Sequence, residues 1–197
     1  MVEMPASWPA LPKSLNDFYR VWQHARVKNG GDIPHRHDLS LMELKDLTSM
    51  LTILKIDSPG RMYVRMSGTA IDTLFDQNLT GLDVMEISDP EAGKAMIAFH
   101  EALLQHPCGG WAKDLLVSER GRRITAEYLI LPLLDRDGKR VLCASQCDAA
   151  TTGFGLPSGN MGTRIDYKEF MGAKHLDIGF GVPDYSFSIP TVTEGAR

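Results

Sequence analysis

The chain has 197 residues, 43% of them hydrophobic and 23% charged, which suits one compact domain with extensions. Lys and Arg number 21 against 25 Asp and Glu, and the net charge of −4 argues against a dedicated nucleic-acid binder, which relies on excess cations. No window approaches the roughly 18 apolar residues of a membrane span, Met1 to Pro12 lacks the basic and apolar regions of a secretory signal, and the three cysteines at no framework spacing suit a reducing cytoplasm.

Residues 1–13 read as a flexible lead-in. Leu15, Phe18, Tyr19, Trp22 and Ala25 then recur at helical spacing over 14–28, with Ser14 and Asp17 in the form of a capping box and Asn29-Gly30-Gly31 as the stop. Residues 40–50 predict a second helix, capped by Ser40 and Glu43 and striped by Leu41, Leu44 and Leu47. The period changes to 2 at 51–57 and 61–66, two strands joined by Ser58-Pro59-Gly60. Thr69 with Asp72 opens a short helix carrying Ile71, Leu74 and Phe75, and residues 78–81 break it. Asp89-Pro90 starts a longer helix with Ala92, Ala95, Met96, Phe99, Ala102 and Leu103 on one face, ending at His106-Pro107.

Strands follow at about 111–118, 123–134 and 139–147, joined by two short Gly-containing turns, 119–122 and 135–138. The expected fold is therefore α+β: a five-stranded antiparallel sheet with helices inserted between the second and third strands. From Tyr128 to Leu134 nearly every residue is apolar, so both faces of that strand are expected to be covered. The middle helices cover one face; the N-terminal helix, or the same helix of a second chain in a homodimer, covers the other. Residues 149–197 are Gly-rich with Phe154, Tyr167, Phe170, Phe180, Tyr185 and Phe187, and predict loop and extended structure with a short helix near 167–174. The units are thus 1–13, N-terminal helices 14–50, a core 51–148 and an extension 149–197.

This order, together with Phe18-Tyr19-Arg20-Val21-Trp22, Ile33-Pro34-His35-Arg36, Tyr63-Val64-Arg65-Met66-Ser67-Gly68-Thr69-Ala70 and Asn78-Leu79-Thr80-Gly81, resembles the PAS domain. More narrowly, it is similar to the stand-alone PAS proteins of alphaproteobacteria. The resemblance covers roughly residues 14–148. It implies a sensor or interaction module, usually cytoplasmic and often dimeric, with a cavity between sheet and helices. It names no ligand, since such domains bind haem, flavin, small acids or nothing identifiable.

A pocket of that kind would be lined by Met66, Ile71, Leu74, Phe75, Met96, Phe99, Trp111, Leu115, Tyr128, Ile130 and Gln146, with Tyr128 and Gln146 orienting a ligand. An ordinary filled core accounts for the same stripes. Light-oxygen-voltage flavin chemistry is excluded, because its Asn-Cys-Arg-Phe-Leu run has no counterpart between Thr69 and His106. Haem is disfavoured: His100 and His106 lie on the long helix, but His106 at its end serves the helix dipole equally well. His35 and His37, near Asp32 and Asp38, offer metal-ligating chemistry without a fourth ligand, and a solvated connector explains them as well. Cys143 and Cys147 lie about 13 Å apart along one strand and read as buried, inert thiols. No nucleophile elbow, P-loop or His-Glu-x-x-His motif is present.

The expected protein is a non-enzymatic cytoplasmic regulator that binds a small ligand or a signalling partner. Phe18, Tyr19 and Trp22 are its candidate dimer or partner surface. The alternatives are a ligand-free adaptor working through its N-terminal helix and C-terminal tail and, more remotely, a metal-dependent enzyme at His35 and His37.

Overall fold

The computed structural model describes residues 5–86, 90–118, 123–148 and 165–184. Helix α1 runs Lys13–Lys28 and α2 only Leu41–Leu44; strands β1 Leu51–Ser58 and β2 Arg61–Ser67 lead into α3 Thr69–Phe75 and α4 Pro90–Gln105. Strands β3 Gly109–Ser118, β4 Arg123–Leu134, β5 Arg140–Asp148 and β6 Ile165–Leu176 complete one antiparallel sheet in the order β2-β1-β5-β4-β3-β6. The sixth strand corrects two expectations: residues 167–174 are strand rather than helix, and the sheet extends beyond the expected core into the tail. Its extended form is imposed by pairing with β3, from Gly109↔Leu176 to Ser118↔Ile165, a partner far away in sequence.

Both faces of β4 are covered, as its apolar run requires. Leu129, Leu131 and Leu133 turn to a cluster with Leu15, Phe18 and Trp22 of α1; Ile124, Ala126 and Ile130 turn to one with α3 and α4. The cover over the first face is the chain's own α1. That overturns Phe18, Tyr19 and Trp22 as an exposed partner surface: they are 0%, 3% and 0% exposed, because this is the stripe that buries α1 on the sheet. The lead-in is also packed, with Trp8 against Tyr19 at 4.8 Å between ring centroids.

Local signals hold with shifts. Helix α1 starts after Pro12 without a side-chain cap; Ser14 is buried inside it, and Asp17 pairs with Lys13 and Arg20 instead. Its stop does fall at Asn29, followed by Gly30 and Gly31 at φ 71° and 94°. Ser40 caps α2 by accepting from the Glu43 N–H, but the helix lasts one turn and gives way to a 3-10 turn, Thr48–Met50, leaving Leu41 exposed while Leu44 and Leu47 are buried. Asp72 closes the loop after α3 by accepting from the Leu79 N–H at 3.1 Å. The Asp89 cap and the 119–122 turn lie outside the described residues.

Gly109 and Gly110 show how closely both layers sit on the sheet. A Cβ on Gly109 would meet Ile178 at 3.0 Å and Leu131 at 3.3 Å; one on Gly110 would meet Leu103 at 2.8 Å and Phe99 at 3.0 Å. Pro132 is admitted inside β4 because the β3 ladder ends at Gly110↔Ile130, so its missing N–H costs no pairing. Its carbonyl accepts the Trp22 indole N–H at 2.9 Å.

Candidate functional site

The face between the sheet and α3/α4 gathers Leu54, Met62, Val64, Ile71, Leu74, Phe99, Leu103, Ala112, Leu116, Ile130, Leu142 and Ala144, all buried. Of the predicted lining residues, Ile71, Leu74, Phe99 and Ile130 are buried here, and Phe75, Met96 and Tyr128 are partly buried against them. Met66 lies near the end of β2 and is 39% exposed, outside the cluster. The Gln146 backbone pairs with Tyr128, but its side chain falls outside the described residues.

Trp111 and Leu115 are on the other face. Trp111 packs toward the α1 cluster and its indole N–H donates to Glu127 at 3.3 Å, while Lys113 pairs with Glu127 at 3.2 Å. The helical face of β3 therefore carries Gly110, Ala112, Asp114 and Leu116, one register step from the expectation. The physical reason is the close approach of α4 over Gly110, which leaves no room for an indole.

That register step places Asp114, only 2% exposed, among the apolar side chains. Asp114 pairs with Ala126 and Ala112 with Tyr128, so Asp114 and Tyr128 are diagonal cross-strand neighbours, about 7–8 Å apart and within reach of a long side chain or a small bridging molecule. Sequence reasoning missed Asp114; the available signal was the small pair Gly110 and Ala112 in phase with it, marking the helix-packed face. His100 is 4% exposed, with Nδ1 2.7 Å from the Met96 carbonyl and its ring edge-on to Phe99. His175 of β6 stacks on the same Phe99 at 4.9 Å.

Two of the motifs that carry the resemblance are hydrogen-bonded to the sheet, at the end of β4 and along β2. The Pro34 carbonyl accepts from the Leu134 N–H at 3.0 Å, and the His35 N–H donates to Asp38 at 2.8 Å, fixing the connector beside β4. Val64 exchanges backbone hydrogen bonds with Leu82 and Gly81, at 3.0 and 2.7 Å, so the Leu79-Thr80-Gly81 turn returns along the edge of β2.

His35 and His37 stack at 5.0 Å, and among the described residues no group of three or more His, Cys, Asp or Glu is placed to hold a metal ion. Cys108 and Cys143 are buried, and burial pushes both thiols up to about 12, so they stay protonated at neutral pH. No helix among the described residues is long and apolar enough to cross a membrane.

Burial holds the His175 imidazole below its ordinary value of 6.5; a hydrogen bond to the Phe99 backbone opposes this and the charge of His106 adds to it. The unfolded chain then binds the proton more readily, so this contribution to stability is full above 6.5 and is lost as pH falls from there to the folded value. The Asp177 carboxyl, held below its usual range chiefly by the N–H groups of Gly179 and Gly181, acts with the same sign in stronger acid. The melting temperature is expected to fall between about pH 7 and pH 5, and His175→Gln to flatten that fall; an unchanged slope in the variant would assign the effect elsewhere.

A protein-family model described as PAS domain matches residues 11–145. A search of curated proteins finds no match. Among solved structures, a light-oxygen-voltage domain studied with a flavin analogue is similar at TM-score 0.39 and 16% identity, covering 56% of this chain and 84% of that one, a likeness too slight to carry ligand chemistry across.

Proposed function

This chain belongs to the PAS domain family, and from that premise we propose that it is a non-enzymatic cytoplasmic regulator binding a small ligand between its sheet and α3/α4. The observation that carries the reading is Asp114, buried beside Tyr128 on a largely apolar wall. Small-molecule sites have that composition: apolar walls for burial and a few placed polar groups for orientation. A bound molecule changes the packing of α3 and α4 on the sheet, and a protein partner reads the change, since a ligand acts only through its differential affinity for two states.

Native mass spectrometry of the full chain, with an absorption spectrum of the same sample, tests this. The expected result is a mass excess that disappears on denaturation and is reduced in Asp114→Asn and Tyr128→Phe. A bare mass, unchanged on incubation with cell extract, would overturn it in favour of the ligand-free adaptor. The adaptor reading draws support from Leu41 and Met42 on α2, 77% and 85% exposed. The same spectrum distinguishes monomer from homodimer.

A further inference from the structure

Helices α1 and α4 lie on opposite faces of the sheet, yet the chain just past β6 is bonded to both. Leu176 and Ile178 are buried with α1 while His175 stacks on Phe99 of α4, so this end of β6 already belongs to the two layers. From the α4 side, His106 Nε2 donates to the Phe180 carbonyl at 3.0 Å. From the α1 side, Arg26 donates through Nη1 to the Ile178 carbonyl and through Nε to the Gly31 carbonyl at 2.6 Å, and its guanidinium lies 4.7 Å from the Phe180 ring centroid. The two anchoring carbonyls are only two residues apart.

The segment between the anchors is built to move as one piece. The Asp177 carboxylate accepts from the N–H groups of Gly179 at 2.7 Å and Gly181 at 2.9 Å, closing the turn on itself. Gly179 sits at φ 104°, a conformation that favours glycine, and the Arg26 guanidinium lies against it, 2.8 Å from where a Cβ would stand. The Trp8 indole N–H donates to the Asp177 carbonyl at 3.2 Å, tying in the N-terminal strap as well.

We propose that residues 177–181 form a clasp that couples the C-terminal end of α4 to the C-terminal end of α1 around the sheet, so that displacing α4 loosens α1. The clasp stands on its own bonds, whether or not a ligand occupies the α3/α4 face. A ligand that shifts α4 would reach α1 by this route.

Hydrogen exchange measured by mass spectrometry on the full chain tests the coupling. His106→Ala is expected to raise exchange about five- to tenfold at residues 26–31, across the sheet from the substitution, the size set by the loss of one hydrogen bond. Arg26→Ala is expected to do the same at residues 102–106, and the double variant to exceed neither single by more than about twofold, as coupled groups require. Asp177→Ala, which alters neither anchoring side chain, is expected to raise exchange at both helix ends together. Should Arg26→Ala fail to fold, His106→Ala and Asp177→Ala still decide the matter. Changes confined to the substituted residue's own face, or additive in the double variant, would overturn the clasp; ligand retention in native spectra is read separately.

Discussion

Replacing Trp22 with alanine is expected to cost about 3–5 kcal/mol, the loss for a large aromatic removed from a core. Trp22 is 0% exposed and lies in the α1 stripe against Leu129, Leu131 and Leu133 of β4. Its ring stacks near Tyr19 at 6.4 Å, and the Arg26 guanidinium lies 5.7 Å from its centroid. Its N–H also serves the Pro132 carbonyl, which lies beyond the β3 ladder and would be left in an apolar surrounding. Urea unfolding measures the loss, and Trp22→Phe, which keeps most of the ring, is expected to lose less. A loss below about 1 kcal/mol for Trp22→Ala would show that α1 folds independently of the sheet, contrary to its burial.

Gly68→Ala is expected to cost about 3 kcal/mol, at the upper end of overpacking effects. The reason is space rather than backbone freedom: Gly68 has an ordinary φ of −77°. A Cβ there would lie 2.3 Å from the Ser49 carbonyl oxygen, 2.5 Å from its carbon and 2.8 Å from the Thr48 oxygen, all main-chain atoms that no rotamer change can move. The 3-10 turn Thr48–Met50 and the start of α3 must separate, straining the Gly68 N–H bond to the Leu51 carbonyl at 2.9 Å. The melting temperature is expected to fall by roughly 6–12 °C. Gly60→Ala is the comparison: at φ 76° with nothing within 4 Å it strains only the backbone and costs about 1–2 kcal/mol. If the two variants melt alike, the close contact at Gly68 is not what the glycine is for.

Much of the fold was legible in the sequence because its signals are local. The α1 stripe, the period change at Leu51 and the turns at Gly60 and Gly138 set α1, β1, β2, β4 and β5 to within two residues. What escaped was decided by distant contacts. Strand β6 holds Lys168, Gly172 and Lys174 in a Gly-rich context, and only the edge of β3 makes it extended. The site was half legible: α3 and α4 gave Ile71, Leu74 and Phe99 directly, since a helix stripe declares its face. On β3, Trp111 and Leu115 were the expected lining residues, whereas the approach of α4 over Gly110 sets the opposite phase and brings in Asp114.

The contact between Arg26 and the Ile178 carbonyl spans 152 residues of chain, which gives the protein a schedule as well as a shape. At a synthesis rate of about 5–20 residues per second, helix α1 leaves the ribosome roughly 8–30 s before the turn that fastens it. For most of that interval the Leu15, Phe18 and Trp22 stripe has no complete sheet to lie on, because β4 ends only at Leu134 and β5 at Asp148. Helix α1 is made well before the sheet that seats it, and an oily surface on a growing chain is where a chaperone would be expected to bind.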